Sequence, residues 1–374
     1  MLNTRQTYKL IIVVFLLLSV SSGYAQTGGN HDFKFLALTN SARSAALGTH
    51  WLPVKDGDVN SVLFNPSLIG TDTHRSFALN YISDVGDINY GYAMYSHTFQ
   101  NVGSFAASMQ FLNYGMMKEA DESGNVYGDF SANELAANIG WGRALTPHWS
   151  IGANVKMAHS SMYAGYSAFG LGVDVAGTYF NPEKEMTVSL VANNIGYVIS
   201  PYSDYVSNSS QENTRWFPFC MSVGVSKKLE HIPLRYVLIY NNIEKWDLRG
   251  NSKPTTTIDQ ITGDTITKKG IDRFGDNLMR HITFGAEFTI AKVINLRGGY
   301  DYGRRQELKT EMKKGMMGFS WGLGLNLKRF SIDYGRSMHH LAGSPNYFTF
   351  STNIDRLVAK RSSRPPKSYN DEKD

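Results

Sequence analysis

A chain of 374 residues with 37 basic and 32 acidic side chains, a net charge of +5 and a mean hydropathy of −0.28 is not built from apolar membrane helices. Its positive charge forms no stripe, so nucleic acid is excluded as a partner, and the single cysteine, Cys220, excludes an internal disulfide framework. Charged residues are only 18% while aromatic residues reach 13% and Gly counts 35, a balance that suits strands with one apolar and one polar face.

The chain opens with Arg5 and Lys9, an apolar run over Leu10 to Val20, and Gly23-Tyr24-Ala25, which places small residues where a signal peptidase reads. The expectation is a signal peptide over 1–25, cleaved before Gln26, whose apolar core is too short to span a membrane. Export of a chain with one cysteine makes Cys220 a small buried apolar residue within a strand.

From 26 to 72 no long alternation occurs. The Ser41-Ala42-Arg43-Ser44-Ala45-Ala46-Leu47-Gly48 piece has a Ser start, a small-residue body and a Gly stop, which predicts a short helix. We read 26–72 as a compact lead-in or hatch folded into a barrel mouth. Asp56, Asp58 and Asn60 have the spacing of half a calcium loop, but Ser61 stands where that loop needs Gly and Ser67 where it needs Glu. A solvated turn is expected there.

From Arg75 a period of two takes over, and 73–355 reads as the barrel. The clearest case is His281 to Asp301, where Ile282, Phe284, Ala286, Phe288 and Ile290 alternate with His281, Thr283, Gly285, Glu287 and Thr289. After a reversal at Ala291-Lys292, Ile294, Leu296 and Tyr300 alternate with Asn295, Arg297 and Asp301. Period two belongs to an extended strand with one apolar face. Fourteen segments are predicted: 75–84, 89–99, 103–113, 133–144, 149–160, 166–180, 186–197, 217–228, 234–245, 279–290, 293–302, 317–328, 329–338 and 345–355. Most match the nine to eleven residues of a tilted strand crossing a bilayer.

Short connections follow the even segments, as at Asn101-Val102, Thr146-Pro147 and Ala291-Lys292. Long ones follow odd segments, centred on Glu119 to Tyr127, Tyr202 to Arg215, Arg249 to Phe274 and Arg304 to Lys314. This ordering predicts an antiparallel outer-membrane β-barrel of a Gram-negative bacterium, with a periplasmic N-terminus and external long loops. Trp141, Trp149, Tyr179, Phe180, Tyr300, Tyr302, Trp321 and Phe330 fall near strand ends, as interfacial girdles would. The stretch 356–374, rich in charge and Pro, predicts a disordered tail.

Chemistry finds little support. His97, His159 and His281 sit in no catalytic motif, His159-Ser160 reads as an interface pair at a strand end, and His339-His340 lacks a second ligand cluster. No catalytic residue, cofactor or metal site is assigned. Gly170 and Gly172, or Gly322 and Gly324, read as lumen packing, because no helix follows to make a phosphate loop. Asp174, Glu287, Arg297, Asp301 and Asp333 are candidate lumen residues that either line a pore or pin a plug.

The lead-in carries a resemblance. Phe35-Leu36, Ser41-Ala42-Arg43, Ala45-Ala46-Leu47-Gly48, Asp58-Val59 and Phe64-Asn65-Pro66-Ser67-Leu68, followed by about fourteen strands, resemble the PorQ family of the type IX secretion system. That family is related to FadL-like fatty-acid channels. The sibling PorV family has a similar opening with more Gly around it, so both fit. The resemblance implies a non-enzymatic barrel of an attachment complex in which PorV holds PorU and PorQ holds PorZ. Cargo there is linked to anionic lipopolysaccharide. The alternative is a FadL-like channel for uptake of hydrophobic small molecules.

Overall fold

The computed structural model describes residues 32–163, 166–202, 215–248, 256–258, 265–267, 270–308, 316–338 and 343–358. The signal-peptide reading, His339-His340 and the tail beyond 358 lie outside the described residues.

The first half of the wall is β1 (Ser76–Ser83), β2 (Asn89–Phe99), β3 (Gly103–Ala120), β4 (Val126–Ala144), β5 (Trp149–Tyr163), β6 (Tyr166–Asn181) and β7 (Met186–Ser200). The second half begins with β8 (Cys220–Lys228) and β9 (Leu234–Tyr240). A small separate hairpin, β10 (Thr256–Ile258) and β11 (Thr265–Thr267), comes next in the chain. The wall resumes with β12 (Ile282–Ile290), β13 (Ile294–Asp301), β14 (Phe319–Asn326), β15 (Phe330–Ser337) and β16 (Asn346–Asn353). Each wall strand pairs antiparallel with its neighbours, and β1 pairs with β16 from Ser76↔Asn353 to Ser83↔Asn346, closing a barrel of fourteen strands.

The alternation is inverted relative to a soluble protein. On β12 and β13, Phe284, Phe288, Ile290, Ile294 and Leu296 point out and are exposed, while Thr283, Glu287, Asn295 and Arg297 point in and are buried. Leu323, Leu325, Ile332, Phe348, Phe350 and Leu79 continue this apolar belt across β14, β15, β16 and β1. A soluble monomer rarely exposes an apolar patch beyond a few hundred Å². Hydrocarbon around the barrel accounts for a belt that runs around the ring. Ring contacts such as Trp149–Tyr179 at 5.1 Å, Phe330–Phe350 at 5.7 Å, Tyr300–Phe319 at 4.7 Å and Trp321–Tyr334 at 5.6 Å lie toward the two ends of the strands.

Several predicted boundaries shift. β3 and β4 run on into a ribbon, so the loop read over 119–127 is a tight turn at the tip of two long strands. The segment drawn from 217 starts at Cys220, because Phe217 leaves the wall and fills the lumen. The segment drawn to 245 stops at Tyr240, and the one drawn from 279 starts at Ile282, because α2 (Gly270–Arg280) precedes it. Helix α3 (Tyr302–Leu308) follows β13, and α4 (Ile354–Val358) occupies the first residues assigned to the tail. Cys220 is half-buried at the start of β8, with its Sγ 3.4 Å from Ser222 Oγ, rather than enclosed in an apolar core.

The core is the lumen itself, and the lead-in fills it. Phe33, Phe35 and Leu36 pack in the long-loop half against Ile82, Tyr90, Leu112, Ala136 and Ala158. Leu47, Trp51, Leu52, Leu63 and Phe64 pack lower, and the chain reaches the short-turn rim where β1 begins. The lead-in is a plug rather than a cover over the mouth.

Candidate functional site

The predicted short helix is α1 (Ala42–Ala46). Ser41 caps it by accepting a hydrogen bond from the Ser44 amide at 3.3 Å, and Gly48 ends it at φ 78°, a left-handed conformation that a side chain would strain. Its small residues matter because the wall beneath it is glycine. A Cβ at Gly299 would overlap the Leu47 backbone, one at Gly335 the Ala42 carbonyl, and one at Gly322 the Ala46 methyl. On the opposite wall Gly142 and Gly152 receive the Pro66 backbone in the same way. The four glycines read as lumen packing all face inward: Gly322 receives the plug, Gly324 lies against Arg297 and Asp333, and Gly170 and Gly172 hold the Phe217 ring.

Arg43 is the centre of the plug–wall contact. Its Nη2 and Nε donate to Glu287 of β12 at 2.8 and 3.0 Å, while Nη2 and Nη1 reach Asp56 at 2.8 Å and Asp58 at 3.1 Å. Arg297 of β13 donates to Glu287 at 2.7 Å and also pairs with Asp333 of β15. Arg235 of β9 donates to Asp56 at 2.6 Å. Three guanidinium groups are thus interleaved with four carboxylates, and bidentate forks satisfy charges that would otherwise be expensive to bury. On the plug, burial opposes ionisation of Asp56, but Arg43 and Arg235 hold its carboxyl well below the usual carboxylate range. The expected solvated turn is corrected in part: Asp56 is exposed at the turn, yet its carboxylate and that of Asp58 pair with Arg43, and Asn60 is buried beside Asn80 at 2.8 Å.

A second contact sits on β5, β6 and β7. Lys156 Nζ pairs with Asp174 at 2.9 Å and donates to Asn194 Oδ1 at 2.7 Å. Asn154 Nδ2 bridges Asp174 at 3.1 Å and the plug carbonyl of Leu63 at 2.7 Å. Hydroxyls complete the seam. Ser67 and Thr178 lie 2.6 Å apart, Asn65 donates to Thr178 at 3.4 Å, and the Ala42 amide donates to Thr349 at 2.9 Å. Of the lumen candidates, Glu287, Arg297 and Asp333 form one network and Asp174 a separate one. Asp301 stands apart at the end of β13, accepting from the Arg304 amide at 3.0 Å. Sequence reasoning did not assign Arg235, Lys156 or Asn194 to the site. Lys156 on the polar face of its strand was the available signal.

His159 and Ser160 form no dyad. His159 faces out while Ser160 faces in to Glu134 at 3.1 Å, and His281 is stacked on Tyr240 at 4.8 Å and bonded to the Asn241 carbonyl at 2.7 Å. His97 packs on His74 at 4.7 Å near the short-turn rim.

Among the described residues, two spaces stand out in the lumen region. A cavity of about 740 Å³ opens at the short-turn end beneath Arg43 and Asp56, lined by charged residues including Lys228, Lys292 and Arg329. An apolar gap of about 10 Å³ lies between Phe35 and Leu38 of the plug and Tyr90 and Leu112 of the wall, room for about one water-sized sphere. The molecule is a plugged outer-membrane-type β-barrel.

No known protein family matches the sequence, and no curated protein does. Among solved structures, the chain is similar to the toluene transporter TbuX of Ralstonia pickettii, at 11% identity and a TM-score of 0.49, covering 85% of this chain and 99% of that one. It is similar to the toluene transporter TodX of Pseudomonas putida, at 10% identity and 0.45, covering 84% and 94%. A FadL homologue of Pseudomonas aeruginosa matches at 11% identity and 0.42, covering 85% and 99%. These are likenesses of barrel outline at low identity.

Proposed function

We propose that the protein is a non-enzymatic outer-membrane barrel that holds a surface protein on its long-loop rim, with the short turns in the periplasm. The observation that carries this reading is the seal. The lumen is filled by the chain's own plug from the long-loop half down to Arg43 and Asp56, above the charged cavity at the short-turn end, and the plug is tied to both walls through Arg43 and Asn154. The apolar gap of about 10 Å³ is far below the 300–1,000 Å³ of a small-molecule site, and the space of that size, about 740 Å³ at the short-turn end, is lined by charged residues rather than the apolar walls a hydrophobic ligand needs. The finer assignment follows the hatch residues: a PorQ-like member of a type IX attachment complex, holding a PorZ-like partner beside PorU and PorV where cargo meets lipopolysaccharide. In cells, trimming 202–215 and 249–274 is expected to release that partner from the surface while the barrel still inserts. Undiminished retention overturns the reading.

A second reading, a channel for hydrophobic small molecules, has its own observation. Pairing between β6 and β7 shifts between Val173 and Val175, and Asn194 takes φ 60° there, which kinks the wall beside the buried Phe217 and Phe33 rings, 5.2 Å apart. Two of the similar solved structures are named as toluene transporters, which sides with this reading more than with a secretion role. Uptake of toluene that depends on the protein and survives trimming of both loops favours it.

A further inference from the structure

The wall is uneven. β3 and β4 have 18 and 19 residues, roughly eight more than a tilted strand needs to cross the bilayer. At ~3.3 Å per residue and a ~45° tilt, the excess stands about 20 Å above the membrane.

Up there the two strands have lost their neighbours. The β2–β3 pairing ends at Asn89↔Asn113 and the β4–β5 pairing at Asn133↔Ser161, while β3 and β4 continue together from Met116↔Ser131 to Ala120↔Val126. Among the described residues, the Met116–Ala120 edge of β3 has no strand beside it. A two-stranded ribbon is marginal in water, and an open edge is a template for one more strand.

This ribbon is nonetheless set firmly. Asp121 accepts from the Ser123 and Asn125 amides at 2.9 and 2.8 Å and from Tyr127 at 2.7 Å, while Glu119 accepts from the Tyr163 hydroxyl and Phe130 meets the Tyr163 ring at 5.2 Å. Its outer side leaves Met116 72% and Val126 58% exposed. Its charge opposes that of the chain: Lys118 stands against Glu119, Asp121, Glu122 and Asp129, and Asp87 of the β1–β2 connection lies against Gly115.

We propose that the β3 edge at Met116–Ala120 is where a surface protein docks, by adding a basic extended segment as a further strand. Backbone pairing supplies the geometry, and the acidic ribbon selects the sign of the segment. The proposal deepens the anchoring reading and rests on it.

The test uses the full chain in detergent and a fluorescein-labelled peptide of alternating Lys and Val. Binding is expected by anisotropy, with amide exchange at 116–120 slowed about tenfold. Affinity is expected to fall about tenfold in Glu122→Lys/Asp129→Lys, which leaves the backbone intact. Excising 117–130 in favour of Asn-Gly, a two-residue turn that closes the shortened hairpin, is expected to abolish binding. Equal binding by the excised chain, unchanged exchange at 116–120, or equal binding of a Glu–Val peptide overturns the proposal. If the peptide fails yet the trimmed loops still release the cell-surface partner, the ribbon falls alone. If no loop affects retention, the anchoring reading falls.

Discussion

Arg43 touches Glu287, Asp56 and Asp58 at once, so its removal takes the guanidinium from Asp58 and leaves Glu287 and Asp56 held by Arg297 and Arg235 alone. Arg43→Ala is expected to destabilise the plugged state by about 3–5 kcal/mol. A lower urea midpoint for plug protection from protease reads this, and Arg43→Lys recovers only part because an ammonium lacks the fork. Gly299→Val drives a side chain into the Leu47 backbone, with an expected loss of about 1–3 kcal/mol by the same assay. At this scale the sequence was half legible. Asp174, Glu287, Arg297 and Asp333 stood out because a charge on the inward phase of a strand must meet something. Asp56 and Asp58 did not, because a pair of carboxylates in a Gly-containing turn looks the same whether it meets water or an arginine more than ten residues away.

The strands were legible wherever one face met lipid, since hydrocarbon enforces strict alternation. Above the membrane that pressure ends. Beyond the irregularity between Asn113 and Met116 both ribbon faces meet water, the period dissolves, and 114–132 read as loop although it is mostly strand. Helices α2 and α3 were hidden likewise among polar residues of the long connections. At the ribbon tip, hydrogen bonds from Asn125 and Tyr127 hold Asp121 down to about 2 against an ordinary 3.8. A carboxylate lowered in this way supports the turn fully above its unfolded value, and that support is lost as pH falls from about 3.8 through 2. Amide exchange at Ser123 and Asn125 should therefore quicken in that window while exchange in β12 and β13 does not.

For the whole molecule, the outward belt predicts depth-dependent sensitivity. Leu323→Arg, in the middle of β14, is expected to lower barrel stability by about 2–4 kcal/mol in refolding titrations into vesicles. The filled lumen predicts that vesicles carrying the protein do not swell in sucrose. What remained illegible here was the destination of the lead-in. Its small residues gave a helix, but only the facing glycines of β13, β14 and β15 show that the helix lies flush against the wall.

The unequal strands have a consequence for the lipid. β9 has 7 residues and β14 has 8, so at ~3.3 Å per residue and ~45° their side of the cylinder is about 16–19 Å tall, short of the ~25 Å apolar band usual for such barrels. Acyl chains beside that arc must shorten or the barrel axis must lean, at a fraction of a kcal/mol per Å of mismatch. Spin labels on Leu323 and Leu135, compared for oxygen accessibility, would show the lean as unequal depth. Leaning toward β14 would swing the acidic ribbon on the opposite arc, giving this barrel a preferred heading wherever the membrane stays thicker than the short arc.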